Sequence, residues 1–324
     1  MNRKEFLNAV AILGGASLMP ASVLNAADRM PSGKRDKRRM DPSKVVLLSD
    51  IHICGEFENG KPFKYPYNPT SLNLRIEEIL KMRPLPANVI VFGDVAWDYG
   101  LEEDYRYAAE LLKPLEDAGI KLTLAMGNHD RRDAFFKVFP EYARKTPVPG
   151  RVVSVVSLPD VDIVMLDYLA ELPNLKKKQK TTVSGEIDEA QIAWLKEYLA
   201  GHDRPVLLGA HHPLKEMPNL SNVIVESECV AGYIYGHNHI WNKSVSILRP
   251  RKNLHMTPTL ALPATFYGDI GLAVMTVDSK GAVVEYSSKG FWWPQPVENP
   301  PAEWLQRQKD LENEKCTFLF QGAR

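Results

Sequence analysis

Apolar residues recur along this chain in two alternating rhythms. Short unbroken runs of aliphatic and β-branched residues stand at 45–48, 89–92, 122–126, 162–166, 206–210 and 233–235. Runs of this length, bounded by Gly, Asp or His, predict strands buried on both faces. Between them, 71–82, 102–117, 133–143 and 188–200 carry apolar residues at helical spacing. Such alternation predicts an α/β layer architecture with largely parallel strands. From Ser244 onward the texture is strand-only, with 273–277 and 283–286 flanking a turn-like break at 278–281. A Pro- and Trp-rich stretch opening at Phe291-Trp292-Trp293-Pro294 then leads to a polar helix around 302–314. No repeat or low-complexity block interrupts this pattern. One domain over 44–290 is expected, with 291–324 as a C-terminal extension ending in that helix.

The first residues follow a different pattern. Arg3 and Lys4 precede an Ala/Gly/Leu-rich run to about Leu24, and Asn25-Ala26-Ala27 offers a small-residue cleavage point. That layout predicts an export signal over 1–27 and a periplasmic or secreted mature protein. The Arg-Lys-x-Phe-Leu spacing is similar to a twin-arginine signal with Lys in place of the second Arg; the general secretory route is the other option. No cysteine precedes Cys54, which excludes a lipidated cysteine at the cleavage point. No later stretch reaches the roughly 18 apolar residues of a spanning helix, so no stable membrane insertion is expected once the signal is removed. Residues 28–43, with Lys34-Arg35-Asp36-Lys37-Arg38-Arg39 at their centre, read as a basic, solvated linker.

Composition removes several function classes. A chain of 324 residues with 44% hydrophobic and 25% charged residues is an ordinary globular protein. Lys plus Arg and Asp plus Glu both number 40, and this balance disfavours a protein that coats nucleic acid or an anionic membrane. Cys54, Cys229 and Cys316 are too few and too scattered for a disulfide framework or a cysteine zinc module.

The remaining chemistry collects just after the predicted strands. The run at 45–48 leads into Asp50-Ile51-His52, and 89–92 into Gly93-Asp94. The run at 122–126 ends in Gly127-Asn128-His129-Asp130, 206–210 in His211-His212-Pro213, and 233–235 in Gly236-His237-Asn238-His239. Ligand sites in open α/β sheets lie outside the carboxyl ends of strands, so five such endings converge on one crevice. Asp-x-His and His-x-His on extended backbone place both side chains on one face. Oxygen and imidazole donors without thiolate suit Mn, Fe or Zn, and their number exceeds the needs of one ion. Two ions roughly 3.5–4 Å apart clamp the attacking and leaving oxygens of a phosphoryl displacement and acidify a bridging water.

In this order the five blocks resemble the calcineurin-like metallophosphoesterase superfamily, and they span most of the mature chain. The resemblance implies a four-layer sandwich of two packed mixed β-sheets flanked by helices. It implies that Asp50, His52 and His239 hold one ion, that Asn128, His211 and His237 hold the other, and that Asp94 bridges them. His129 is then the residue that contacts the phosphate and protonates the leaving oxygen, with Asp130 orienting it. The His-x-Pro pattern selects His211 over His212, which faces substrate or covers the site. The segment Val95-Ala96-Trp97-Asp98-Tyr99-Gly100 is one residue longer than the family pattern, so neither Trp97 nor Asp98 is carried over. Trp97 lines a base- or aryl-binding wall or packs as an ordinary aromatic. The lysines of 176–180 steer anions or form a solvated loop.

The continuation Arg131-Arg132-Asp133-Ala134-Phe135-Phe136 resembles bacterial cyclic-nucleotide and glycerol phosphodiester phosphodiesterases. Residues 185–195 look like a helix entry of the same branch, although an Asp188 N-cap before an apolar stripe explains most of that string. The expected activity is therefore metal-dependent hydrolysis of a small exported or extracellular phosphoester, with diesters favoured. A phosphomonoesterase or nuclease of the same fold is the alternative, and a catalytically silent binding module is a further one.

Overall fold

Val45, Val46, Leu47 and Leu48 are all fully buried, and the reason is layering on both faces of their strand. The structure is a computed structural model describing residues 40–320, except 65, 173, 249–254, 288–291, 294 and 297–298. The expected export signal at 1–27 and residues 28–39 of the expected linker lie outside the described residues.

Sixteen strands are described: β1 (Met40–Leu48), β2 (Phe57–Glu58), β3 (Lys61–Pro62), β4 (Leu85–Val91), β5 (Lys121–Leu124), β6 (Ser154–Ser157), β7 (Asp162–Met165), β8 (Val206–Ala210), β9 (Val230–Tyr235), β10 (Asn242–Leu248), β11 (His255–Ala261), β12 (Leu272–Asp278), β13 (Gly281–Ser287), β14 (Trp292–Trp293), β15 (Gln295–Pro296) and β16 (Lys315–Leu319). The α-helices are α1 (Asn68–Lys81), α2 (Glu102–Asp117), α3 (Arg132–Val138), α4 (Pro140–Lys145), α5 (Glu189–Ala200), α6 (Pro218–Val225) and α7 (Ala302–Leu311).

Two six-stranded sheets carry the fold, in the orders β16-β13-β12-β1-β4-β5 and β10-β11-β9-β8-β7-β6. Parallel pairing joins β1 to β4 and β4 to β5 in the first sheet, and β7, β8, β9 and β11 in the second. Antiparallel strands complete the edges, so each sheet is mixed. Strand periodicity of two then sorts the side chains. Val45, Leu47, Ile90 and Phe92 meet Ile163, Met165, Leu207 and Ile234 between the sheets. Val46, Leu48, Val89 and Val91 face outward onto Leu72, Ile76, Leu111 and Leu112 of α1 and α2. Val164, Leu208 and Ala210 face Leu195, Leu199, Leu220 and Val223 of α5 and α6. The result is the expected helix–sheet–sheet–helix sandwich.

Several expectations change. The helix expected over 133–143 is two helices, because Pro140 cannot continue the ladder of α3 and instead opens α4. Residues 40–43, placed in the linker, belong to β1, where Met40 pairs with Leu85. The chain past 290 is no appendage: β16 pairs with β13 as an edge strand, burying Cys316 and Phe318 in the core between the sheets. The last helix ends at Leu311 to allow this return. Asp188 does cap α5, its side chain accepting a hydrogen bond from Gln191 N at 2.8 Å. Among the described residues no helix is long and apolar enough to cross a membrane.

Candidate metal centre

Strands β1, β4 and β5 of one sheet and β8 and β9 of the other release their chains toward the same point. The residues that follow are not extended, contrary to the strand geometry expected for Asp-x-His and His-x-His. Asp50, His52, Asp94, His237 and His239 all have positive φ, between 44° and 66°. This left-handed backbone is sparsely populated by residues other than glycine, though Asp and His tolerate it better than most. Tight turns of this kind let the loops interlock. Asp50 N donates to Gly93 O, His52 N to Asp94 O, and His237 N to the Asp50 carboxylate at 3.1 Å. Glycine is required where the loops touch: a Cβ on Gly127 would collide with the Asp94 carboxylate, and one on Gly236 with the Ser49 hydroxyl.

All seven expected ligands converge. Asp50 Oδ1 lies 3.0 Å from His239 Nε2 and 3.9 Å from His52 Nε2. Asn128 Oδ1 lies 3.1 Å from His211 Nε2 and 2.9 Å from His237 Nδ1. Between the two groups stands Asp94, with Oδ2 3.2 Å from His211 Nε2 and 3.6 Å from His52 Nε2. Three overlapping sets, Asp50–His52–His239, His52–Asp94–His129 and Asp50–Asp94–His211, each have ligand atoms within 4.8 Å of one another.

The tautomers indicate what belongs there. His211 Nδ1 faces the Phe92 carbonyl at 2.8 Å, and His52 Nδ1 faces the Trp97 carbonyl at 3.1 Å. A carbonyl only accepts, so each neutral ring carries its proton on Nδ1 and turns a bare Nε2 lone pair toward carboxylate oxygens. Lone pair against carboxylate is repulsive unless positive charge sits between them. Asp50 Oδ1 and His52 Nε2 are buried without a hydrogen-bond partner. Braced imidazoles of this kind are typical of metal ligands.

Titration of the side chains shows how strongly the carboxylates demand positive charge at this point. Burial disfavours the His211 cation, yet Asp94 and Asp50 outweigh it and push the ring up to about 10. Burial likewise opposes ionised Asp50 and Asp94, but the surrounding imidazoles hold both below the usual carboxylate range. Burial brings His52 down to about 4, and burial with the neighbouring His211 brings His237 to about 4. The centre therefore combines two anionic carboxylates, the neutral imidazoles of His52 and His237 and an amide oxygen with a His211 ring whose proton a divalent ion would displace, a donor set that fits such ions.

Two roles differ from expectation. Asp130 does not orient His129. Its buried carboxylate accepts hydrogen bonds from Val95 N, Ala96 N and Gly127 N at 2.8–3.2 Å and from the Tyr105 hydroxyl at 3.1 Å, tying the Asp94 and Asn128 loops together. Asp98 takes the other place: its Oδ1 lies 3.1 Å from His129 Nδ1, while His129 Nε2 faces Asp94 Oδ2 at 3.9 Å. The signal was in the sequence, but the extra residue after Asp94 hid the register. His212 packs its ring against those of His211 and His237, 5.1 and 5.0 Å between centroids, and meets Val183 O through Nε2 at 3.1 Å, so it covers the centre. The lysine loop is not merely solvated, since Lys177, Lys178 and Lys180 pair with Glu103, Glu56 and Asp98. Aromatic rings also rim the site. Phe266 and Trp97 stand edge-on to His52, and Tyr267 lies 4.0 Å from His239 between ring centroids. Nothing in the pattern around Phe266 and Tyr267 singled them out.

Comparison with known proteins shows the family and the fold. The calcineurin-like phosphoesterase family profile matches residues 43–241, more than half of the chain. A probable cyclic nucleotide phosphodiesterase of Rhodopseudomonas palustris is 37% identical over 174 residues, which are 52% of this chain. The chain spans 57% of that protein's length. The crystal structure of a dimetal phosphatase from Danio rerio superposes with a TM-score of 0.60 at 13% identity, covering 87% of this chain and all of that one. At that identity the likeness is one of fold.

Proposed function

Since the chain belongs to the calcineurin-like phosphoesterase family, we propose that it hydrolyses small phosphodiesters encountered outside the cytoplasm. One observation carries the hydrolase reading: two anionic carboxylates and the inward-turned lone pairs of braced imidazoles share one buried centre. Two ions of Mn, Fe or Zn type held by Asp50, His52, Asp94, Asn128, His211, His237 and His239 would withdraw charge from the phosphoryl oxygens and acidify water. The chain's own residues do the rest. His129 stands at the mouth of the centre with a quarter of its side chain exposed. Burial opposes its protonation, but Asp94 and Asp98 together raise its pKa. Asp98 holds the Nδ1 side, which leaves Nε2 to offer a proton to the leaving alkoxide.

The preference for diesters is supported by the Rhodopseudomonas relative, and export by the cationic–apolar–small order of residues 1–27. An exported enzyme meets extracellular phosphoesters rather than a cytosolic cyclic nucleotide. Metal analysis of the purified protein, with bis(p-nitrophenyl) phosphate and p-nitrophenyl phosphate compared side by side, tests the activity. Two ions per chain and faster diester turnover are expected. A faster monoester makes it a phosphomonoesterase, ions without turnover make it a binding module, and absence of bound ions overturns the reading. Asp94→Asn keeps the side chain's shape but removes its charge, and it should lose both ions and turnover together. Intact-mass measurement on protein from its native compartment tests export, with a start near Ala27 or Asp28 expected. A mass that includes residues 1–26 refutes it.

A further inference from the structure

His239 differs from the other buried imidazoles of the centre. His52 and His211 are each braced through the second ring nitrogen by a backbone carbonyl, whereas His239 Nδ1 is buried with no hydrogen-bond partner. Apart from the Asp50 contact at Nε2, its orientation comes from its backbone and from what packs on its ring. Both lead to Asp269. The Asp269 N–H donates to His239 O at 2.9 Å, and its carboxylate accepts from Trp241 N at 2.7 Å. The segment 239–241 is thus clipped at both ends by one residue. The same residue closes its own loop, with Ala264 N donating to Asp269 O at 3.1 Å. That loop carries Tyr267, whose ring lies against His239.

The Asp269 carboxylate is buried, and a buried charge needs a partner. The partner comes from the far end of the chain. Arg307, on α7, forks onto Asp269 with Nε at 3.0 Å from Oδ1 and Nη2 at 2.7 Å from Oδ2. The same Nη2 donates to Trp241 O at 2.9 Å. A planar guanidinium gripping both carboxylate oxygens and a carbonyl fixes position in a way a lysine cannot match.

We propose that α7 completes the metal centre, with Arg307 acting through Asp269 as the positioning residue for His239. The inference rests on the dinuclear reading above. Removing Arg307 leaves the clip with an unpaired buried carboxylate, and the His239 loop should relax. Loss of such supporting contacts typically weakens metal binding by roughly 10–100-fold.

The test is a chelator titration of the metal-loaded wild type, Arg307→Ala and Arg307→Lys, with metal content measured at each point. Thermal unfolding of the three metal-stripped proteins accompanies it. One ion should leave Arg307→Ala at roughly 10–100-fold lower free chelator, the second ion should be held more nearly as in wild type, and Arg307→Lys should fall between. The metal-stripped Arg307→Ala protein should melt below wild type, because a buried carboxylate loses its partner, and the selective loss of one ion is what separates positioning from general support. Release curves that coincide with wild type overturn the proposal. So does parallel loss of both ions, since that pattern belongs to general support of the fold. A wild type that binds no ions overturns the dinuclear reading instead, which separates the two failures.

Discussion

His129 has a carboxylate near each ring nitrogen, Asp98 at Nδ1 and Asp94 at Nε2, whereas His211 and His52 have a carbonyl on one side and carboxylates on the other. That difference separates a proton donor from a ligand. His129→Ala should keep both ions and lose rate by roughly 10²–10⁴-fold. The loss should be larger for alkyl esters than for p-nitrophenyl esters, whose leaving oxygen needs little protonation. Steady-state kinetics on both ester types decides it: equal slowing with the ions retained leaves His129 only a positioning role, and loss of ions makes it a ligand. Asp98→Asn should reproduce part of that loss without releasing metal. At this scale the ligands were legible, because polar residues placed directly after apolar runs have few other reasons to cluster. The supporting carboxylates were not. Asp130 adjoins His129 in sequence, yet its side chain leaves the turn on the opposite side. Asp98 sits behind an extra residue whose effect only the folded loop reveals.

The elements divide along a similar line. Strands buried on both faces announce themselves as unbroken apolar runs, and α2 and α5 were legible to within a residue. The left-handed loops that aim Asp50, His52, Asp94, His237 and His239 were not, because no local residue preference forces Asp or His into that region. They are held there by tertiary contacts. Asp104, in the first turn of α2, is one such contact. Its carboxylate accepts Gly55 N at 2.7 Å and Leu101 N at 3.2 Å, which docks the helix onto the chain leaving the His52 loop. Burial, reinforced by Glu56 and Glu103, pushes Asp104 up to about 6 despite those donors. Because the folded value exceeds the unfolded one, the native state binds the extra proton. The resulting stability is present below about pH 4 and is lost as pH rises through about 6, an amount on the order of 2–3 kcal/mol. Urea unfolding at pH 4, 5, 6 and 7 should show wild type losing ground to Asp104→Asn across that window. A constant gap between the two proteins refutes the assignment.

At the scale of the whole molecule, the C-terminal strand decides how the two sheets meet. β16 was not legible: only Cys316 and Phe318 face inward in five residues, and a Pro- and Trp-rich stretch precedes its helix. In the fold, Phe318 is fully buried between the sheets. Its ring fills the gap over Gly232, a β9 position of the opposite sheet, where any Cβ would collide with it. One residue is large because the other is small, and the two sheets are keyed together at that point. Phe318→Ala should open a cavity and destabilise by about 3–5 kcal/mol. Gly232→Ala should overpack the same space and destabilise by about 1–3 kcal/mol. If the two truly share one volume, the double variant should be more stable than the sum of the singles demands, by roughly 0.5–3 kcal/mol. Denaturant unfolding of the four proteins closes the cycle. Additivity within about 0.3–0.5 kcal/mol would mean the sheets do not register on this pair, and that β16 stabilises the first sheet alone.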